Sequence, residues 1–213
     1  SYTDPNYDLL GNSIKYKLFS TTNDKPEQGY ENSLFGASIA TSFEQYKDVF
    51  TNLGISANYD DLRTDSSASS SLKKQRGEFT EISGIYGFSV DKRNRSFKPT
   101  DGSITRFSQS IPIVADKPSI TNLFSSSSYF QFNEDLVGAG KFFIETIHGL
   151  KDEDVRISKR KFLSTSRLRG FEKGKIGPVD SEDHVGGNYA AALNLEANLP
   201  NLLPESTNTD VSV

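Results

Sequence analysis

Apolar and polar residues alternate with a period of two along almost the whole chain, while helical periodicity is nearly absent. In SIKYKLF, Ile14, Tyr16 and Leu18 alternate with Lys15 and Lys17. SLFGASIATSF sets Phe35, Ala37, Ile39 and Phe43 against Gly36, Ser38 and Ser42. VFTNLGISANY places Val49, Leu53, Ile55, Ala57 and Tyr59 on one side and Asn52, Gly54, Ser56 and Asn58 on the other. TEISGIYGFSV opposes Ile82, Tyr86, Phe88 and Val90 to Glu81, Ser83, Gly87 and Ser89. The pattern is clearest in NYAAALNLEANLP, where Tyr189, Ala191, Leu193, Leu195 and Leu199 alternate with Asn188, Asn194, Glu196 and Asn198.

Segments 103–113, 120–132 and 136–148 are weaker versions of the same pattern. Together they predict about eight strands of about ten residues, longer than the usual five or six. No helical crossovers separate them, so neighbouring strands are expected to be antiparallel. Short turns (TDGS, NEDL) are expected to alternate with long polar connections at Thr21–Tyr30, Asp65–Gly77 and Lys151–Gly187, with the DSSASSS run at 65–71 a flexible loop. A soluble β-sandwich also alternates. Strand length and a polar face of Gly, Ser and Asn favour a membrane barrel, with lipid outside, a wet lumen inside, short turns on one rim and long loops on the other. A closed barrel is also the one all-strand way to satisfy backbone groups in lipid. Lys15, Lys17, Lys141 and Glu145 are then expected in the lumen, because a charge facing lipid at mid-depth costs about 2–4 kcal/mol. Tyr2, Tyr7, Tyr46, Tyr59 and Tyr129 fall near strand ends, where an interfacial aromatic belt belongs.

Composition removes several function classes. A net charge of −4 gives no overall basic field for nucleic acid. Without Cys and with only His148 and His184, neither a disulfide framework nor an ordinary zinc site can be built. No apolar run reaches the ~18 residues of a membrane helix, and SYTDPNYDLL has no signal-peptide character. The absence of Met and the strand-like ending NTDVSV read as cuts from a longer chain. GFEKGKIG lacks the spacing and the Lys-Ser/Thr ending of a phosphate loop. With no nucleophile–base pair evident, neither an enzyme nor a cofactor is expected. The Asn-x-Ser at Asn94 gives no reason to invoke glycosylation.

The long connection carries an ordered set of motifs: LRGF (168–171), IGP (176–178) and VGGN (185–188), followed at once by the strand AALNLEANLP. Upstream lie SYTDPNY at the start and DKRNRSFKPTDGS at 91–103. In this order they resemble the BamA-type outer-membrane protein assembly factors, the bacterial surface antigen barrel family, over essentially the whole chain. The resemblance implies an all-β, antiparallel transmembrane barrel. Residues 1–213 would be part of a sixteen-stranded family barrel, from the end of its fourth strand to the start of its thirteenth, with POTRA domains and terminal strands absent.

It further implies that the loop folds back into the lumen. Arg169 would pair with Glu196 on the following strand and with a second acid beyond Val213, Gly170 would allow a tight turn, and Phe171 would pack. Ile176, Gly177, Pro178, Gly186, Gly187 and Asn188 would form the motif loop and strand start. Glu196 has the inward parity that the alternation gives independently. The implied function is assembly and insertion of other barrel proteins in the outer membrane of a Gram-negative bacterium. Implied partners are nascent outer-membrane proteins, outer-membrane lipids and, through the POTRA region, accessory lipoproteins. Alternatives are a two-partner secretion or TamA-like translocation pore, a diffusion porin, or a soluble β-sandwich binding module.

Overall fold

Each alternating segment becomes a strand. The computed structural model describes residues 1–8, 10–172, 174–199 and 211–212. In chain order the strands are β1 (Tyr2–Asp4), β2 (Ser13–Lys25), β3 (Tyr30–Tyr46), β4 (Val49–Thr64), β5 (Gly77–Asp91) and β6 (Gly102–Ala115). They continue with β7 (Ser119–Asn133), β8 (Leu136–Gly149), β9 (Val179–Asp180), β10 (Asp183–His184), β11 (Tyr189–Leu199) and β12 (Val211–Ser212). Ten of these form one sheet in the order β1-β2-β3-β4-β5-β6-β7-β8-β11-β12, and β9 pairs with β10 as a separate hairpin. All pairings are antiparallel. Alternate connections therefore share an end of the sheet. One rim carries residues 5–12, 47–48, 92–101 and 134–135, and the other carries 26–29, 65–76, 116–118 and 150–188.

The two faces are inverted relative to a soluble protein. Leu18 stands opposite Ala37, Ala37 opposite Ala57, and Ala57 opposite Ile82, an outward rung with Leu18 77% exposed. One residue away, Lys17, Ser38, Ser56 and Ser83 form an inward rung, and there Ser83 is 1% exposed. Ile39, Ile55, Tyr86, Leu193 and Leu195 are likewise exposed, while Asp60 and Glu81 are buried. A continuous exposed apolar face of this extent needs an apolar environment. On the outer face of β6–β8 a short polar rung satisfies itself: Gln109 Nε2 donates to Asn122 Oδ1 at 2.7 Å and Asn122 Nδ2 to Thr146 Oγ1 at 3.2 Å.

Several expectations need correction. The principal strands run to 17 residues in β3 and 16 in β4, beyond the expected ten. Most of Thr21–Tyr30 is strand, because Asn23 and Asp24 pair in register with Asn32 and Glu31, and only residues 26–29 connect. TDGS closes the 92–101 connection rather than forming a turn of its own, so connection lengths are mixed on both rims. The serine run is a docked element: Ser70–Lys73 forms a short helix capped by Ser69, and Ala68, Ser69 and Leu72 are buried. Tyr129 takes inward parity opposite the buried Ala139, so it does not join the outer aromatics, whereas Tyr2, Tyr7, Tyr46 and Tyr59 are exposed. Lys15 and Lys17 share the inward parity of Ala40 and Ser38 but remain exposed.

Candidate functional site

The 150–188 connection lies against the inner wall, and a short alternating stretch, Val155–Lys159, places it there. Val155 and Ile157 are buried, and Arg156 between them is only 4% exposed. Arg156 Nη1 lies 3.2 Å from Asp60 Oδ2 and Nη2 lies 3.7 Å from Glu81 Oε2. Its guanidinium stacks 4.5 Å above the Phe79 ring centroid. Lys159 Nζ donates to Glu81 Oε2, and to Ser119 Oγ at 3.2 Å. The remaining carboxylate oxygens are also used: Asn32 Nδ2 donates to Asp60 Oδ1 at 2.7 Å and Ser83 Oγ to Glu81 Oε1 at 2.6 Å. Ser158 Oγ adds a bond to Asp60 Oδ2 at 2.7 Å.

Two acids from the wall and two bases from the loop leave the cluster neutral, as burial of charge requires. Burial pulls Arg156 below its ordinary pKa, opposed by Asp60 and Glu81, and pulls Lys159 down likewise against its bond to Glu81. Arg156 Nε and Asn58 Oδ1 have no partner among the described protein groups, and both border a polar cavity of about 150 Å³. That is room enough for water.

An apolar cluster sits beside these charges. Tyr30 and Leu62 from the wall meet Leu72 from the 65–76 connection and Ile157 and Val185 from the long loop, with Phe79 packed against them. Ile157 N also donates to Gln75 Oε1 at 2.8 Å. The β9–β10 hairpin is tied to the short helix by carboxylates: Asp183 Oδ2 accepts from Ser69 N at 2.9 Å, and Asp180 Oδ2 accepts from Ser69 Oγ at 2.8 Å and from Ser71 Oγ. Those two hydroxyls hold Asp180 below its ordinary value of 3.8.

The motif residues bracket this docked segment. Lys161 and Gly187 exchange backbone hydrogen bonds at 2.8 and 3.0 Å, and Lys161 Nζ reaches Glu145 Oε1 on β8 at 2.7 Å. Gly186 has φ +63, and a Cβ there would lie 2.7 Å from the Phe162 ring, so a side chain is excluded on both counts. Asn188 O accepts from Ile147 N at 2.8 Å, which starts β11 beside β8. Pro178 O accepts from Val185 N at 3.1 Å, Gly177 has φ +123, and Ile176 is half-buried.

Arg169 and Glu196 are brought near each other but not together. Glu196 has the expected inward parity, and its Oε2 accepts from Lys141 Nζ on the neighbouring strand at 2.5 Å. Arg169 is exposed and, among the described residues, makes no ion pair with Glu196. Its neighbour Arg167 takes the seat on the wall: the guanidinium carbon lies 3.4 Å from the Phe143 ring centroid, and Arg167 O accepts from Asn194 Nδ2 at 3.0 Å. Arg167, Arg169 and Glu196 all line one cleft of about 460 Å³. Gly170 does turn the chain, with φ +83, but Phe171 is exposed rather than packed. Lys141 and Glu145 take the expected inward parity, each in an ion pair.

Sequence reasoning missed Asp60, Arg156 and Lys159. The signal was present in the inward parity of Asp60 and in the alternation of Val155-Arg156-Ile157 within an otherwise polar loop. No group of three or more His, Asp or Glu able to hold a metal occurs among the described residues.

An inverted antiparallel sheet with a long connection seated on its inner wall is a narrow structural type, and the comparisons agree with it. The Omp85 superfamily domain matches residues 1–213. The chain belongs to the Omp85 superfamily. No curated protein matches the sequence. Among solved structures, the crystal structure of BamA from Haemophilus ducreyi lacking POTRA domains 1–3 superposes with a TM-score of 0.84 at 20% identity. The superposition covers 100% of this chain and 48% of that one, so the Omp85 chain spans about half the length of its structural relative. At this identity the likeness is one of fold. The Omp85 fold is all-β and antiparallel, as the alternation indicates, and among the described residues no pairing joins β1 to β12.

Proposed function

We propose that residues 1–213 form part of an outer-membrane β-barrel domain that assembles and inserts other barrel proteins into the outer membrane of a Gram-negative bacterium. The observation that carries this reading is the inverted sheet: apolar side chains outside, paired charges inside, and a loop of net positive charge held on the acidic inner wall. Residues 151–175 hold nine Lys or Arg against four Asp or Glu, which suits a wall bearing Asp60, Glu81, Glu145 and Glu196. Superfamily membership and the likeness to BamA support the same role.

In this reading the wall is a rigid scaffold and the loop its internal brace, with no nucleotide or cofactor required. Clients are nascent barrel proteins, which add strands at an exposed sheet edge. Outer-membrane lipids surround the apolar face, and accessory lipoproteins engage POTRA domains outside this chain. Arg169, Gly170 and Phe171 serve as a second contact. Arg169 swings across the shared cleft to Glu196, exchanging with Lys141, when the barrel is engaged.

The test is reconstitution of the full-length protein in liposomes, followed by addition of a urea-unfolded outer-membrane barrel protein. Insertion, read as heat-modifiable gel mobility, is expected to run faster than in protein-free liposomes. Arg169→Ala is expected to slow it, with Glu196→Gln causing part of the same loss. Equal rates with and without the protein would contradict an assembly role. Strictly additive losses would show that Arg169 and Glu196 do not interact.

A further inference from the structure

The 92–101 connection differs from every other turn on its rim. It packs Lys92, Arg93, Arg95 and Lys98 into seven positions around a single aromatic, Phe97. The neighbouring turns are acidic or mixed, with Lys47 and Asp48 in one and Glu134 and Asp135 in another. Positive charge on this rim is therefore concentrated in one loop.

The loop is also built, not slack. Arg93 is held bidentately by Asp91, with Nε at 2.8 Å from Oδ1 and Nη2 at 2.7 Å from Oδ2, and its Nη1 donates to Ser96 O at 3.2 Å. Asn94 Oδ1 accepts from Thr100 N and Asp101 N at 3.2 and 3.3 Å, while Asn94 Nδ2 donates to Thr100 Oγ1 at 2.8 Å. Arg95 Nε donates to Lys98 O at 2.6 Å. These bonds consume the charge of Arg93 and fix the backbone. Lys92 and Arg95 stay exposed, and Phe97 is 78% exposed.

The loop's surroundings indicate its partner. Tyr2, Tyr7, Tyr46, Phe130 and Phe132 are all exposed near the same rim and edge the apolar outer face. Aromatics in that position mark the depth of the headgroup layer. An ordered loop at that depth, bearing exposed Lys92, Arg95 and Lys98 and an exposed aromatic, suits a surface with negative charge outside and hydrocarbon within. Cations near such a surface are attracted and an aromatic inserts at the boundary.

We propose that residues 92–98 form an anchor for anionic glycerophospholipids, in which Lys92 and Arg95 bind headgroup phosphates and Phe97 enters the acyl boundary. This rests on the membrane-barrel reading, and the experiment separates the two. The full-length protein is reconstituted in phosphatidylcholine bilayers containing spin-labelled phosphatidylglycerol or, in parallel, spin-labelled phosphatidylcholine. The motionally restricted fraction of each label is measured by electron paramagnetic resonance. The wild type is expected to restrict phosphatidylglycerol more than phosphatidylcholine, and the Lys92→Gln/Arg95→Gln variant is expected to lose about half or more of that selectivity, as does high salt. Restriction of phosphatidylcholine should not change. Phe97→Ser, which leaves both charges in place, should weaken phosphatidylglycerol restriction separately. Heat-modifiable mobility verifies that each variant is folded.

Equal restriction of the two lipids by the wild type overturns the anchor while leaving the barrel intact. So does selectivity that survives the charge substitutions, or that is lost only on adding an acidic protein partner. Restriction of neither lipid means that the barrel reading itself has failed.

Discussion

Arg156 and Arg169 carry the same charge on the same loop, yet one is buried between two carboxylates and the other is exposed. The difference lies in the flanking residues. Val155 and Ile157 draw the first into an apolar seat, whereas Gly170 turns the chain beside the second. Removing one partner from a buried pair leaves an uncompensated charge, typically a loss of about 3–5 kcal/mol. Arg156→Ala is therefore expected to undock the loop, seen as faster hydrogen exchange across 150–160. Combining Arg156→Met with Asp60→Asn should cost less than Arg156→Ala alone, because Lys159 keeps Glu81 and no charge is then stranded. If the double variant exchanges faster than the single, the cluster is not the anchor. Arg156 was hard to see in the sequence because nothing there shows which acids of distant strands share a face with it. Glu196 was legible because parity along one strand suffices.

The long connection is a composite element whose stability combines charge pairing with a small core. Ile157 is fully buried, so Ile157→Ala removes about 2–5 kcal/mol of docking if the cavity does not collapse. Limited proteolysis of the folded protein should then cut within 150–188 first, and wild-type resistance of that variant would contradict the packing described. The hairpin tie carries a pH dependence. Asp180 has a depressed pKa, so its contribution is fully present above its ordinary 3.8 and is lost as pH falls through the lower folded value. Exchange protection of the hairpin should fall below about pH 4 in the wild type, and Asp180→Asn should lack both the bond strength and that pH step. The sequence read the 65–71 run as slack because serines are common in linkers. Here their hydroxyls find partners more than a hundred positions away, at Asp180, which local composition does not encode.

At the level of the whole molecule, the sheet was legible because its cause is local. A pleated strand sends successive side chains to opposite faces, so alternation fixes both the element and its orientation. Leu193, Asn194, Leu195 and Glu196 take the predicted sides, and β8 aligns with them through Phe142, Lys141, Gly140 and Ala139. Strand ends were less legible. Beyond the apolar belt the alternation fades into polar pairs such as Asn23 with Asn32, yet backbone pairing continues. The seating of the loop depends on contacts between distant strands and could be read only in outline from its charge.

The central claim is that this sheet faces lipid outward and encloses its charges. Spin labels at positions 193 and 194 of the full-length protein in bilayers test it directly, with oxygen as the lipid-soluble relaxer and a nickel chelate as the aqueous one. The account predicts high oxygen access at 193, where Leu193 is 68% exposed, and low oxygen access at 194, which faces the loop through Arg167. Equal oxygen access at the two positions, or the reverse order, would contradict it.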